Sequence, residues 1–313
     1  MLNTASPISV VIPLYNKAAY VERAIRSALA QGEAVLEIIV VDDGSRDGSA
    51  EVVERMGEPK VRLIRQANGG VSAARNRGIE EARGKFICFL DADDIYLDGF
   101  LNEIQLLNAR FPQACLYATS YIKRWPDGRE VINNLPHTIE PGHMQIVRDP
   151  FRAWSRNSFI HIASACMRKR VFSERGFLFP LGESVGEDQD VIFRLMEVGD
   201  VAYSPKPLMV YHQDVVDSLY SELPDFLPAN SERLAKRLKT GNIPKQHRAG
   251  VRRLLSVYCL NIARINLERG QHKQGLQLLL RQEAYYHLVY WLRTAIRFAL
   301  PNAFFKHYWT KRI

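Results

Sequence analysis

Three carboxylates follow a short apolar segment in the first third of the chain. Residues 86–90 are mostly apolar, and Asp91, Asp93 and Asp94 come directly after them. An unbroken apolar run is typical of a parallel strand buried on both faces, and open α/β sheets bind ligands just beyond the carboxyl ends of such strands. Asp91 and Asp93 are two positions apart, so in an extended backbone their side chains share one side. This pattern fits Mg²⁺ or Mn²⁺ beside a phosphate; the alternative is a solvated acidic loop that caps the helix after Asp98.

The segments before this motif alternate between strand and helix patterns. Apolar, β-branched runs predict strands at 8–13, 36–41 and 61–64, and helical patterns lie at 18–31, 48–56 and 72–83. Alternation with short loops indicates a doubly wound α/β fold with a mostly parallel sheet. The loops that follow the strands, including the acidic loop at 42–43, should therefore meet at one edge.

The sequence contains neither G-x-G-x-x-G nor G-x-x-x-x-G-K-[ST]. Gly69 and Gly70 are too few to form either kind of phosphate-binding loop. If this half of the chain binds a nucleotide, a metal must neutralise most of the diphosphate charge.

A second acidic group lies later in the chain. Elements are predicted at 98–109 (helix), 114–121 (strand), 125–129 (hairpin turn) and 159–167 (strand), with 133–158 irregular and a short helix opening at 168–170. Glu187, Asp188 and Asp190 then begin an amphipathic helix, where the helix dipole favours negative charge, so simple N-terminal capping is one reading of these acids. Two late strands are predicted at 201–203 and 208–212.

The charge is unevenly distributed. Residues 230–313 hold 17 Lys and Arg against three Asp and Glu, a net of +14, which leaves −6 for residues 1–229 out of +8 overall. This asymmetry predicts two regions with different partners and a tail that seeks an anionic surface. The tail is helical in composition, with breaks expected at Gly270 and Gly275.

The last helical pattern is aromatic and basic. Its apolar positions share one face, with Arg293 and Arg297 off it, and they are Leu288, Trp291, Leu292, Ala295 and Ala299. One interpretation is a helix lying in a membrane interface. The other is a helix that packs its apolar face on the rest of the protein.

Four scattered cysteines show neither metal-ligand spacing nor a disulfide framework, so we expect buried free thiols in a reducing compartment. The first residues lack the pattern of a signal peptide, and no apolar run is long enough to span a membrane. We therefore expect a cytoplasmic protein, peripheral on the inner face of the cell membrane.

Five motifs, in order and spacing, resemble the family 2 glycosyltransferases of the GT-A fold. They lie at 13–17, 41–45, 68–76, 90–94 and 187–188, and the resemblance covers about residues 7–215. It implies an inverting, hexosyltransferase-like enzyme with a D-x-D motif. We expect a GT-A nucleotide-sugar domain over 1–220 and a basic helical region over 221–313.

The resemblance also implies roles for the donor-binding residues. Pro13, Tyr15 and Asp43 would line the nucleoside pocket, where the Asp43 carboxylate would accept from the imide N–H of uracil. Arg75 would approach the diphosphate or the ribose. Asp91 would lie by the ribose or a metal-bound water.

The remaining roles concern the metal and the acceptor. Asp93 would bind Mn²⁺ or Mg²⁺ bridging the diphosphate, and His212 would be a third ligand, although a histidine after a strand is more often structural. Asp188 matches the catalytic base, and Glu187 would orient it or contact the acceptor. Where the family commonly has an aromatic residue followed by Arg, this chain has Tyr211 followed by His212.

The resulting function is transfer of a sugar from a nucleotide donor, UDP-linked by preference, to a hydroxyl of a surface polysaccharide or lipid-linked oligosaccharide. One alternative is a nucleotidyltransferase that makes an activated sugar, but the loop after the first strand has one lysine and no glycine to hold a triphosphate. Another is a non-catalytic protein whose basic tail binds nucleic acid. That alternative leaves the acidic motifs unexplained, so we expect an anionic membrane surface as the partner and no nucleic acid.

Overall fold

The computed structural model describes residues 7–213 and 226–299. The strands are β1 (Ile8–Leu14), β2 (Val35–Asp42), β3 (Val61–Arg65), β4 (Phe86–Phe89), β5 (Ile95–Tyr96), β6 (Leu116–Arg124), β7 (Glu130–Ile132), β8 (Gln145–Ile146), β9 (Ala165–Arg168) and β10 (Val201–His212). The helices are α1 (Val21–Leu29), α2 (Ser49–Met56), α3 (Val71–Glu81), α4 (Phe100–Arg110), α5 (Pro150–Trp154), α6 (Lys169–Arg175), α7 (Glu187–Val198), α8 (Ala229–Lys239), α9 (Arg248–Glu268), α10 (His272–Leu279) and α11 (Leu288–Ala299).

One mixed sheet organises the first 213 residues. Its main path has the strand order β3-β2-β1-β4-β9-β6-β10-β5, and β9 and β5 run against the other six strands of that path. The order reverses at β1, which lies between β2 and β4 and is parallel to both. The mostly parallel, doubly wound sheet is therefore confirmed, and the reversal places the edge where such sheets bind ligands at the carboxyl ends of β1 and β4.

The first four strands and three helices agree with the sequence prediction to within a few residues at each end, and the hairpin turn joins β6 to β7. Two predictions further on were wrong. The segment 133–158 is not wholly irregular, because Asp149 caps α5 with its carboxylate and Pro150 begins that helix. The strand predicted at 159–167 forms only at its end, because His161 and Ser164 cap a 3₁₀ turn over Ile162–Ser164.

The two late strands predicted at 201–203 and 208–212 form one strand, β10. The register against β6 shifts on both sides of Pro207, so the two halves stay in the same sheet although the prolines interrupt the ladder.

The helix break predicted at Gly275 is absent, since this residue lies inside α10. A Cβ there would come within 2.7 Å of the Phe298 ring, so the glycine allows α11 to approach closely.

The C-terminal helices join the core of the sheet region. Leu234 in α8 and Val251, Leu254 and Leu255 in α9 belong to the same buried cluster as residues of β6 and α7. A separate, smaller cluster joins the second half of α9 to α10 and to α11. The domain boundary predicted at 220 lies outside the described residues.

Helix α11 buries part of its apolar surface and exposes the rest. Trp291 and Ala295 pack on the smaller cluster, whereas Leu288 and Leu292 face solvent, so the five positions do not share one buried face. The side chain of Ala299 lies outside the described residues. Within 7–213 and 226–299, no helix has the length and apolar character needed to cross a membrane. All four cysteines are buried and free, as predicted.

Candidate active site

The carboxyl ends of β1 and β4 bring the first and fourth loops into contact. Lys17, in the loop after β1, forms a 3.0 Å ion pair with Asp93, in the loop after β4. Arg23 of α1 donates to the backbone carbonyl of Asp93. The predicted convergence of the strand-end loops on one edge is therefore confirmed.

Arg75 connects the two acidic motifs that the sequence analysis singled out. It lies on α3, is almost fully buried, and donates at 2.9 Å to both Asp91 and Glu187. Its guanidinium also lies over the Phe179 ring, 5.3 Å from the centroid. Burial opposes the charge, but Asp91, Glu187 and Asp188 together raise the pKa of Arg75, which stays a cation. The same cation helps to lower the pKa of Asp91 against the opposing effect of burial.

Asp188 lies beside this network at the start of α7. Its carboxylate accepts the backbone N–H of Gln189 at 2.7 Å. Burial, and then repulsion by the carboxylate of Glu187, raise the pKa of Asp188 to about 7. A carboxylate that exchanges its proton near neutral pH is suited to act as a general base.

Glu187 differs from Asp188 although the two are adjacent. One of its oxygens accepts from Arg75, and the other is buried with no hydrogen-bond donor among the described residues. Burying an unpaired carboxylate oxygen is unfavourable unless a ligand or water supplies a donor. Glu187 therefore has one buried oxygen with unused capacity to accept a hydrogen bond.

The Gly69-Gly70 pair holds Asp43 through the backbone. One oxygen of Asp43 accepts from Gly69 N at 2.9 Å and from Gln66 Nε2 at 2.7 Å, and the other accepts from Gly70 N at 2.7 Å. Gly70 has φ 85° and ψ 166°, a conformation that essentially only glycine adopts. The loop thus fixes the direction of a buried carboxylate.

The other predicted nucleoside-pocket residues lie on the neighbouring strand and loop. Pro13 is buried in β1, beside Val41 of β2. Tyr15 follows β1 and has 47% of its surface exposed, so its ring is available for stacking on a base. Asp43 N donates to the carbonyl of Leu14 at 2.8 Å, which links this loop to that of Asp43.

Asp91, Asp94 and His161 form a group suited to a divalent cation. Each offers one ligand atom, and these atoms lie within 4.8 Å of one another. The Oδ1 atom of Asp94 accepts from the backbone N–H of His212, while its Oδ2 is buried without a hydrogen-bond partner among the described residues. Burial lowers the pKa of His161 to about 4, so its imidazole is neutral, as a metal ligand must be. Two carboxylates and one imidazole fit Mn²⁺ better than Mg²⁺.

The two predicted metal ligands lie beside this group. Asp93 faces Lys17, and burial and the charge of Asp91 raise its pKa. His212 presents its backbone N–H to Asp94, and its ring lies 3.3 Å from Arg124. The assignment of Asp93 and His212 to the metal stays a prediction.

A scan against family models matches residues 9–176 to the model described as glycosyl transferase family 2. The chain belongs to that family. The matched segment contains every motif of the resemblance except Glu187 and Asp188. This family 2 glycosyltransferase is therefore an enzyme, and its mixed sheet is the GT-A type of fold.

Curated relatives share parts of the chain. An uncharacterized glycosyltransferase of Escherichia coli, YibD, is 48% identical over 96 residues, which are 30% of this chain and 28% of the relative. An uncharacterized glycosyltransferase of Bacillus subtilis, EpsJ, is 28% identical over 244 residues, 74% of this chain and 67% of the relative. The alignment with the first relative thus spans under a third of that protein.

Among solved structures, that of S. aureus TarS 1-349 in complex with UDP-GlcNAc superposes with a TM-score of 0.65 at 17% identity, covering 94% of this chain and 82% of that solved TarS 1-349 chain. At this identity the likeness shows the fold. The coverage includes the C-terminal helices as well as the sheet region.

Sequence reasoning missed two residues of this glycosyltransferase. Lys17 was noted only as part of a motif, yet it is the cation that meets Asp93. His161 was placed inside a strand, whereas it precedes the 3₁₀ turn and stacks on Tyr211, with 4.7 Å between ring centroids. The serine three positions after His161 was the available signal, because that spacing is typical of a cap.

Helix α7 also attaches the site to the C-terminal helices. Asp190 pairs with Arg194 and with Arg233 of α8, so the acid two positions after the candidate base is structural. Gln189 accepts from the hydroxyl of Tyr258 on α9 at 3.1 Å, and Trp154 of α5 donates to that hydroxyl at 3.0 Å. The neighbour of Asp188 thereby contacts the C-terminal region.

Proposed function

We propose that this glycosyltransferase inverts the anomeric centre in a single displacement, moving a sugar from a UDP-linked donor to a saccharide hydroxyl. The observation that carries the proposal is Asp188, a carboxylate with a pKa of about 7 beside the Arg75 network. One base is enough for an inverting transfer to a hydroxyl acceptor.

The donor is proposed to lie along the carboxyl ends of β1 and β4. Tyr15 and Pro13 would contact the nucleoside, and Asp43 would accept from the uracil imide with the lone pairs left by its backbone partners. Lys17, which pairs with Asp93 at this edge, would compensate part of the diphosphate charge. The structure of TarS with UDP-GlcNAc, a protein of similar fold, supports a UDP-linked donor.

In the proposed step, the acceptor oxygen attacks C1 as Asp188 takes its proton. The new C1–O bond forms while the bond from C1 to the diphosphate oxygen breaks, and its electron pair leaves with UDP. Glu187 would hold the acceptor hydroxyl through its free oxygen and would raise the basicity of Asp188 by repulsion. Arg75 would keep Asp91 and Glu187 in place.

The donor set of the metal group fits a divalent ion. Asp91, Asp94 and His161 would hold it, with Asp93 adjacent, and when bound it would stabilise the charge of the departing diphosphate. The proposed acceptor is a surface polysaccharide or a lipid-linked oligosaccharide at the inner face of the cell membrane, where the basic C-terminal region would meet anionic lipid.

The proposal is tested by isothermal titration of UDP with Mn²⁺ and with EDTA, followed by a panel of UDP-sugars in a transfer assay. We expect metal-dependent binding. Tight UDP binding that is indifferent to EDTA would overturn the metal role, and failure to bind UDP would overturn the UDP donor.

The ligand assignment is tested separately by Mn²⁺ binding without nucleotide, in Asp93→Asn, Asp94→Asn and His161→Ala. Weaker Mn²⁺ binding in Asp94→Asn and His161→Ala, but not in Asp93→Asn, would assign the ion to Asp91, Asp94 and His161. Weaker binding in Asp93→Asn alone would favour the D-x-D assignment.

A further inference from the structure

Two adjoining clefts lie on the C-terminal helices. They have volumes of about 370 and 330 Å³ and lie between α5, α9 and the start of α11. Both are lined by Arg253, His287 and Val289, so they form one continuous groove. None of these residues belongs to the site described above.

Four arginines line the groove: Arg152 and Arg156 at α5, Arg253 on α9, and Arg293 on α11. Within the described part of the chain, none of them has a carboxylate at ion-pair distance. Asp149 lies at one end, but one of its oxygens already accepts the backbone N–H of Arg152.

The neighbouring arginines behave differently. Arg233, Arg237, Arg281 and Arg297 each form an ion pair with a glutamate. Partial burial, then repulsion by Arg156 and Arg152, lower the pKa of Arg253. The groove therefore concentrates positive charge that the described fold does not compensate.

An apolar surface borders the groove along α11. Leu288, Val289, Leu292 and Ile296 have 46 to 58% of their surface exposed. Their spacing places them on one face, since positions i, i+1, i+4 and i+8 are neighbours on a helix. An exposed apolar patch beside clustered arginines is the arrangement by which helices bind membrane interfaces.

We propose that the groove binds phosphate groups of anionic membrane lipids while the apolar face of α11 enters the acyl region. The proposal rests on the proposed function in one respect, namely that the acceptor is at the membrane. Arginine suits this role because its planar fork binds phosphate oxygens in pairs. Residues 300–313 contribute three more Lys and Arg and no acid, so charge disfavours that segment as the occupant.

The groove has a fixed relation to the candidate base. Arg253 and Tyr258 are five positions apart on α9, about 7.5 Å along a helix axis. Tyr258 bonds to Gln189, the neighbour of Asp188. A lipid phosphate in the groove would therefore hold the base close to the headgroup layer, where a lipid-linked acceptor presents its hydroxyl.

The test is flotation of the full chain with vesicles of phosphatidylcholine alone or mixed with phosphatidylglycerol. The groove variant is Arg156→Glu/Arg293→Glu; both side chains are exposed and without an ion-pair partner among the described residues, so folding should be unaffected. The control is Arg269→Glu/Lys273→Glu, which makes the same charge change in the same basic region outside the groove. We expect the wild type to bind the anionic vesicles, the groove variant to lose about tenfold or more, and the control to lose about threefold or less.

Equal losses in the two variants would overturn the groove and leave only diffuse attraction. A second outcome would be that the wild type binds inorganic pyrophosphate saturably but does not bind vesicles, and that the groove variant loses the pyrophosphate binding. This outcome would assign the groove to a soluble phosphate and overturn the proposal that it binds lipid. Leu288→Ser/Leu292→Ser should weaken binding to the mixed vesicles; unchanged binding would overturn insertion of α11. UDP titration of each variant separates the two proposals, since a failed donor site abolishes UDP binding whatever the vesicles show.

Discussion

Arg75 and Arg253 carry the same side chain in opposite surroundings. Arg75 is buried between Asp91 and Glu187, and, although burial opposes the charge, the carboxylates of Asp91, Glu187 and Asp188 raise its pKa. Arg253 shares its groove with three other arginines, and it donates a hydrogen bond to the hydroxyl of Ser155. Acids of the candidate active site are paired with Arg75 inside the fold, whereas the four groove arginines have no carboxylate at ion-pair distance among the described residues.

The difference separates two ways of using charge. Around Arg75, removal from water strengthens each ion pair and fixes the carboxylates before substrate arrives. In the groove, open arginines add little to stability and remain available to a ligand. Charge in the first region should matter for folding and chemistry, and charge in the second for attachment.

The largest effect is expected for Asp188→Asn. Loss of the general base should lower kcat about 10²- to 10⁴-fold with little change in UDP binding, as measured in a transfer assay and by titration. Asp190→Asn is the matched control on the same helix: it breaks the pairs with Arg194 and Arg233 and should reduce stability while kcat is retained. If Asp188→Asn kept its activity, Asp188 could not be the general base.

Arg75→Ala tests the comparison directly against Arg293→Ala. The first leaves Asp91 and Glu187 buried without their cation and should lower the free energy of unfolding by about 3–5 kcal/mol in urea denaturation. The second removes an exposed arginine without an ion-pair partner in the described part of the chain and should change it by about 0.5 kcal/mol or less. Similar losses of unfolding free energy in the two variants would show that the groove arginine contributes to folding as much as Arg75 does.

Gly70→Ala should affect the donor side alone. The conformation of Gly70 is strained for any other residue, so the substitution should cost about 1–3 kcal/mol and weaken UDP binding by releasing Asp43. Gly182→Ala is the control, since Gly182 also has a positive φ of 75° and, like Gly70, has no atom within 4 Å of an added Cβ, but its backbone does not hold Asp43. Equal UDP affinity in both variants would show that the Gly69-Gly70 loop does not contribute to the donor site.

The smallest effect concerns pH. Asp188 works as a base only when ionised, and its pKa is about 7, so kcat/KM should fall about tenfold per pH unit below that value and level off above it. Vesicle binding should change little between pH 6 and 8, because arginines stay charged and burial, then Arg253, lower the pKa of His287 and so disfavour its protonated form. If activity and vesicle binding changed at the same pH midpoint, the active site and the groove would not act separately.

The sequence predicted what depends on local pattern. Apolar runs located the first four strands, and acids at their ends located the edge where Asp91 and Asp93 lie. It did not predict that Arg75 bonds to Glu187, because that contact joins residues 112 positions apart and depends on how α3 packs against α7. It also could not show that Gly69 and Gly70 serve Asp43, since the pattern shows a turn and not its partner.

Errors in prediction arose where tertiary contact overrides local preference. The sequence predicts a helix break at Gly275. In the structure this residue lies inside α10, and the Phe298 ring packs where a side chain at position 275 would stand. Pro205 and Pro207 read as a gap between two strands, yet pairing with β6 on both sides keeps β10 continuous. Asp94 reads as the third acid of a motif, and only burial shows that one of its oxygens has no hydrogen-bond partner among the described residues.

The buried cluster that α8 and α9 share with the sheet region bears on how the chain can be shortened. A truncation at residue 220 would remove Leu234, Val251, Leu254 and Leu255 and uncover the apolar side chains of α5 and α7 that they cover. Each such side chain contributes about 1.5–3 kcal/mol when fully buried, so their joint loss is comparable to the whole stability of a typical domain. Helix α9, which lines the groove of our proposal, is thus also a folding requirement of the catalytic half, and the two should melt in a single cooperative transition.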